Sequence, residues 1–100
     1  METKVTKDGA KLVMAVSGRM DTVAAQSLGD EMNAVLTEDV KEFELDLADC
    51  PYIASSGLRV ILQAQKKMNS MQGSMVVKNV IGDVMEVFEM TGFSDILTFE

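Results

Sequence analysis

The stretch Tyr52-Ile53-Ala54-Ser55-Ser56-Gly57-Leu58-Arg59-Val60-Ile61-Leu62 decides how the rest of the chain is read. Two hydroxyls and a glycine stand directly ahead of an apolar run with helical spacing, so a helix is expected to start at Ser55 or Ser56. Unpaired backbone N–H groups and the positive end of the helix dipole meet at such a start. The same place therefore suits a capping hydroxyl or an anion such as a covalent phosphate. Taken alone, the serines read more readily as N-caps than as functional hydroxyls. Gly57 also has two readings: it relieves crowding where the helix packs close to a sheet, or it leaves the preceding hydroxyl open to another protein.

Upstream of this stretch, Phe43, Leu45 and Leu47 alternate with Glu44 and Asp46, the period-two pattern of a strand, and Pro51 then interrupts any ladder. Downstream, Leu58, Ile61, Leu62, Ala64, Met68 and Met71 form a helical stripe, with Lys66-Lys67 near its negative end and Gly73 as its expected stop. Met75-Val76-Val77 is the next strand. A helix between two strands predicts a right-handed crossover and a parallel pair over Lys41 to Lys78.

Further out, Val5-Thr6 and Leu12-Val13-Met14-Ala15-Val16 flank an Asp8-Gly9 turn, which predicts an antiparallel hairpin. The near-continuous apolar run of the second strand predicts burial on both of its faces and a central place in the sheet. Asp21 is placed to cap a helix over Thr22 to Leu36 with an apolar face of Ala24, Leu28, Val35 and Leu36, Met32 lying at its edge. A third helix over Asp83 to Thr91 would bury Val84, Val87 and Phe88 and end at Gly92, leaving Ile96-Leu97-Thr98-Phe99 as a candidate short final strand. The expected architecture is a single α/β domain over residues 1–100, in the order β-β-α-β-α-β-α. It is a mixed β-sheet layered with amphipathic helices.

Composition narrows the function. Net charge is −7, which opposes the phosphate backbone of nucleic acid and favours a basic patch on a protein partner. The N-terminus METKVTKDGAKLVMAV lacks the basic lead and long apolar core of a secretory signal. Nowhere do 18 apolar residues run together. A cytoplasmic location without membrane insertion is expected. Cys50 is the one cysteine and reads as a small buried hydrophobe at a strand end. There is no histidine, so the usual general base for a serine nucleophile and the usual zinc ligand are absent, as are G-x-S-x-G, P-loop and G-x-G-x-x-G motifs. Asp21, Asp46 and Asp49 read as capping and strand-end carboxylates before they read as a metal cluster. No catalytic residue, metal or cofactor is expected. The nine methionines are mostly core filler, Met20 being the one placed to serve as an adaptable partner contact.

The pattern LDLADCPYIASSGLRVILQAQKKM resembles the phosphoacceptor region of the STAS domain family, where a strand ends in an acidic-Ser-Ser/Thr-Gly-Leu sequence that opens a helix. Val16-Ser17-Gly18-Arg19-Met20-Asp21-Thr22-Val23-Ala24 is similar to the family's strand-Gly-x-x-Asp opening of its first helix. Val84 to Phe93 is similar to its last helix with the Thr-Gly-aromatic ending. Together these motifs span nearly the whole chain. Members of this size resemble anti-sigma factor antagonists of bacteria. That resemblance implies a protein-interaction switch that binds an anti-sigma factor of the serine-kinase type, with a serine phosphatase as counterpart. It further implies phosphorylation of Ser56, the hydroxyl before glycine, with Asp21, Ser55 and Gly57 as its neighbours. Ala54 departs from the pattern, because the family's switch proteins usually carry aspartate there. This departure favours a second reading, a STAS accessory subunit of a membrane transport complex that is never phosphorylated.

Overall fold

A computed structural model describes residues 1–100. Strands β1 (Glu2–Asp8) and β2 (Lys11–Ser17) form the expected hairpin, turning through Gly9 at φ 61°. Helix α1 (Thr22–Val35) leads to β3 (Glu42–Asp49), α2 (Ser55–Ser70) to β4 (Ser74–Lys78), and α3 (Gly82–Met90) to a 3-10 turn at Phe93–Asp95. The sheet order is β1-β2-β3-β4, with β2, β3 and β4 mutually parallel. Both helical crossovers therefore advance across the sheet in the same direction. Two crossovers of the same hand that never reverse direction lie on the same face. The helices consequently cover one face only.

Burial follows this geometry. Leu12, Met14 and Val16 of β2, Phe43, Leu45 and Leu47 of β3, and Met75 and Val77 of β4 all point to the helices and join one core cluster of 23 buried residues. The alternate positions Val13, Ala15, Glu44, Asp46, Val76 and Lys78 are only half-buried. β2 is central as expected, but its burial on both faces is not found, because no second helical layer exists. The open face is instead shielded by charged side chains: Lys11 Nζ and Lys78 Nζ meet Glu44 Oε1 at 2.9 and 3.2 Å.

Other expectations shift by small amounts for identifiable reasons. The core face of α1 is Ala25, Leu28 and Met32, continued by Leu36; Ala24 and Val35 are half-buried. The face is turned by about one position because α1 must meet α2 as well as the sheet, with Gly29 set against Val60. After α2 the left-handed residue is Gln72 at φ 59°, not Gly73. Glycine is still required at 73, since a Cβ there would lie 2.9 Å from Lys41 O. The final strand reduces to a single parallel bridge between Val77 and Phe99, where Val77 N–H donates to Thr98 O at 2.8 Å and Phe99 packs edge-on to Phe88. Just before it, Leu97 N–H still donates to Phe93 O at 3.0 Å, so the chain is in the preceding turn until Leu97 and little length is left for a ladder. No helix is long and apolar enough to cross a membrane.

The Lys11–Glu44 pair couples the open face to pH. The hydrogen bond from Lys11, assisted by Lys78, holds Glu44 below its ordinary 4.5 against the opposing effect of partial desolvation. Glu44 raises Lys11 above 10.5 through the same bond. A depressed carboxylate stabilises the fold above its unfolded pKa and loses that contribution as pH falls; a raised ammonium does so below its unfolded pKa and loses it as pH rises. The pair is thus fully effective between about pH 4.5 and 10.5. Glu44→Gln is expected to flatten the acid limb of the stability curve between pH 5 and pH 3 in urea titrations. An unchanged slope would remove Glu44 as a source of acid sensitivity.

Candidate functional site

The strand ends carry β2 into α1 and β3 into α2 at neighbouring points on one edge of the sheet, and the two connections are laced together. Gly18 N–H donates to Asp49 O at 2.9 Å, Met20 N–H to Tyr52 O at 2.9 Å, and Ala54 N–H to Met20 O at 2.8 Å. The last two bonds make an isolated parallel bridge between Met20 and Ile53. The starts of α1 and α2 are thereby held side by side. Asp21 caps α1 as expected, its Oδ1 accepting the Ala24 N–H at 2.8 Å.

Helix α2 starts at Ser55, within the expected bounds, but its cap differs from expectation. Its cap residue is Ala54, in extended conformation, and no side chain caps the helix. Gly57 and Leu58 N–H donate to Ala54 O at 2.9 and 3.2 Å, leaving the Ser55 and Ser56 N–H groups without an acceptor in the protein. Neither serine is the N-cap, because the Met20–Ile53 bridge fixes Ala54 as the last extended residue and brings both serines inside the first turn. Ser55 is exposed. Ser56 Oγ is enclosed and has no hydrogen-bond partner. Of the two readings of Gly57, the crowding one is observed: a Cβ there would approach Met20 Sδ to 2.6 Å and Ile53 Cγ1 to 2.8 Å. Met20 is fully buried and forms the floor under Gly57, so it is not a partner-facing side chain.

Two groups at the site were not singled out in the sequence. The Arg19 guanidinium carbon lies 4.2 Å from the centroid of the Tyr52 ring, stacking one connection on the other at the surface. Val23, in the first turn of α1, is 77% exposed. The only sequence signal for the stack is one cation and one aromatic each placed just past a strand end. Cys50 is buried with its thiol donating to Tyr52 O at 3.3 Å, and burial pushes its pKa up, so it stays a protonated packing group. Asp46 and Asp49 do not gather with Asp21. Asp46 Oδ1 accepts its own strand's Ala48 N–H at 2.9 Å, and no three acidic or thiol groups are placed to share a metal ion.

Neither of the two surface concavities includes Ser55 or Ser56. The larger, about 280 Å³, lies on the open sheet face between Lys4, Ser17 and Asp46. In α/β sheets a ligand crevice forms where the strand order reverses and adjacent helices diverge to opposite faces. This sheet has no such reversal. At the carboxyl ends of the strands the two helix starts lie side by side, and Ser55 and Ser56 fall outside both concavities.

A STAS domain signature covers residues 2–100, and the chain belongs to the STAS domain family. It is 32% identical over 96 residues to BtrV of Bordetella bronchiseptica, provisionally classed as an anti-sigma factor antagonist. The match takes in 96% of this chain and 83% of that protein. Among solved structures, an anti-sigma factor antagonist from Mycobacterium paratuberculosis superposes with a TM-score of 0.87 at 22% identity, covering 98% of this chain and 83% of that one. The Bacillus cell fate determinant SpoIIAA in its phosphorylated form gives 0.77 at 15% identity, over 99% and 91% of the two chains. The observed element order is that of the STAS fold.

The packing at this site yields two stability predictions. Gly57→Ala forces Met20 or Ile53 to move and is expected to cost about 1–3 kcal/mol in urea unfolding. Shortening the floor as well, in Gly57→Ala with Met20→Val, should cost less than the sum of the single changes. Strict additivity would show that the 2.6 Å approach is not what requires glycine. Ser56→Ala removes an enclosed hydroxyl that has no partner, so the variant is expected to equal the parent or exceed it by up to about 1 kcal/mol. A loss above about 1 kcal/mol would reveal a hydrogen bond that Ser56 makes in solution.

Proposed function

We propose that this chain is an anti-sigma factor antagonist, a cytoplasmic binding protein and not an enzyme. Its docking surface would be the paired starts of α1 and α2, and its partner an anti-sigma factor of the serine-kinase type. The observation that carries the reading is the exposed, uncapped start of α2, laced to the Asp21-capped start of α1 and lying outside any cleft. The names of the similar proteins support it, as does the STAS-fold neighbour solved in a phosphorylated form.

In this proposal Ser56 is the modified hydroxyl. Its Oγ is enclosed, so a kinase reaches it only after the side chain rotates outward. The Oγ–P bond then forms as the bond from the γ-phosphorus to the bridging oxygen of ATP breaks. ADP leaves, and the hydroxyl proton passes to the kinase. The product carries a charge of about −1.5 to −2, too large and too strongly hydrated to return to the site the hydroxyl occupied. Placed in the docking surface of a protein already at net charge −7, the dianion must be desolvated for the partner to bind, and binding ends. A serine phosphatase would reset the switch. Ala54 is the one feature that favours the transport-subunit reading, since the expected aspartate is missing beside the serines.

With the cognate kinase and ATP, tandem mass spectrometry is expected to place phosphate on Ser56 and none on Ser55. Ser56→Ala should bind the partner like the parent and resist modification. Calorimetric titration should show at least tenfold weaker binding of the phosphorylated form, a loss of about 1.4 kcal/mol or more. Equal affinities of the two forms would end the switch reading and leave the unphosphorylated transport subunit ahead.

A further inference from the structure

The chain has only two arginines among its nine cationic residues, and both flank the serine turn. Arg19 lies in the β2–α1 connection, parked on Tyr52. Arg59 lies in α2, three residues after Ser56 and four after Ser55, on the same exposed helical stripe as Ser55. Neither arginine forms an ion pair; the four salt bridges of the molecule all use lysines. Both guanidinium groups are therefore unclaimed by any carboxylate of an acidic protein. Long helical side chains lean back toward the preceding turn, so Arg59 is within reach of the start of α2. There the Ser55 and Ser56 N–H groups also lack acceptors, and the enclosed Ser56 hydroxyl lacks a partner.

We infer that Arg59, with Arg19 as the second cation, holds the phosphate of the switch within this chain. This inference rests on the proposed modification of Ser56 and adds what receives the phosphate. The enclosed position of Ser56 Oγ leaves a phosphate only the outward direction, onto the face where Arg59 is the i+3 neighbour. Guanidinium matches a phosphate with two parallel N–H···O bonds, and the two free backbone N–H groups add donors from the helix side. Ala54 removes a carboxylate that would oppose this arrangement. The phosphorylated form is thus internally neutralised in part, and its phosphate is ordered rather than free in solvent.

The test uses protein carrying phosphoserine introduced at position 56 during translation, so that it does not depend on any kinase. The phosphorus-31 resonance is titrated with pH in the otherwise unchanged chain and in the Arg59→Gln, Arg59→Lys, Arg19→Gln and Lys66→Gln variants. In the parent, the second phosphate ionisation is expected at least about half a unit below the ordinary value near 6. Arg59→Gln should return it to that value, Arg59→Lys should keep part of the shift, Arg19→Gln should remove a smaller part, and Lys66→Gln, at the far end of the helix, should change nothing. All four sites are exposed or half-buried, and circular dichroism is to check the folding of each variant. Identical titrations of parent and Arg59→Gln would overturn the inference. If a kinase never modifies Ser56 while this titration behaves as expected, the functional proposal fails and the phosphate-holding role of Arg59 stands.

Discussion

Two backbone hydrogen bonds, Met20 N–H to Tyr52 O and Ala54 N–H to Met20 O, tie the ends of β2 and β3 together beyond the regular ladder. The sheet register shifts between Ala15 and Ser17, and the Met20–Ile53 bridge resumes the pairing after that irregularity. With the bridge in place, Ala54 is held extended and the first turn of α2 must begin at Ser55. Met20 is driven into the core beneath that turn. Glycine at 57 follows, because no side chain fits between the helix and the Met20 thioether. The bridge also lets Arg19 reach Tyr52.

The direction of the crossovers supplies the second constraint. A sheet that advances β2 to β3 to β4 without reversing keeps both helices on one side and aligns their starts along one edge. The concavity at the carboxyl ends of β2 and β3, beside Ser17, Asp46 and Asp49, opens on the bare sheet face and does not reach the serines. Beside it, the paired helix starts present backbone N–H donors, the Asp21 capping carboxylate and the exposed Ser55 hydroxyl, with the Ser56 hydroxyl enclosed beneath. In the proposed switch, a covalent charge at this place would act by local electrostatics and hydration, with no need for the fold to move.

The unpartnered hydroxyl of Ser56 is a local conflict in an otherwise consistent structure, whose other buried side-chain polar atoms have hydrogen-bond partners. Alanine would fill the same space without the cost of an unsatisfied hydroxyl. Conflicts of this sort between local and global preference are expected where a residue serves something other than folding.

The sequence by itself determined the secondary elements, their order and the place of the serine turn at the head of α2. Hairpin chemistry at Asp8-Gly9, alternation along Phe43 to Leu47, the stripe of α2 and the Asp21 cap are all short-range patterns, and short-range physics sets them. What depended on which element packs against which was not legible. The sequence pattern of β2 reads as buried on both faces; only the strand order shows that one layer of helices exists, leaving Val13 and Ala15 half-covered. Ser55 and Ser56 read as caps until a bridge from a residue more than thirty positions away makes Ala54 the cap, exposes one hydroxyl and encloses the other. Met20 read as a surface contact and proved to be the floor of the site, for the same reason. Capping, exposure and crowding at the serine turn are consequences of a long-range pairing between two loops, and a local sequence window holds no record of its partner.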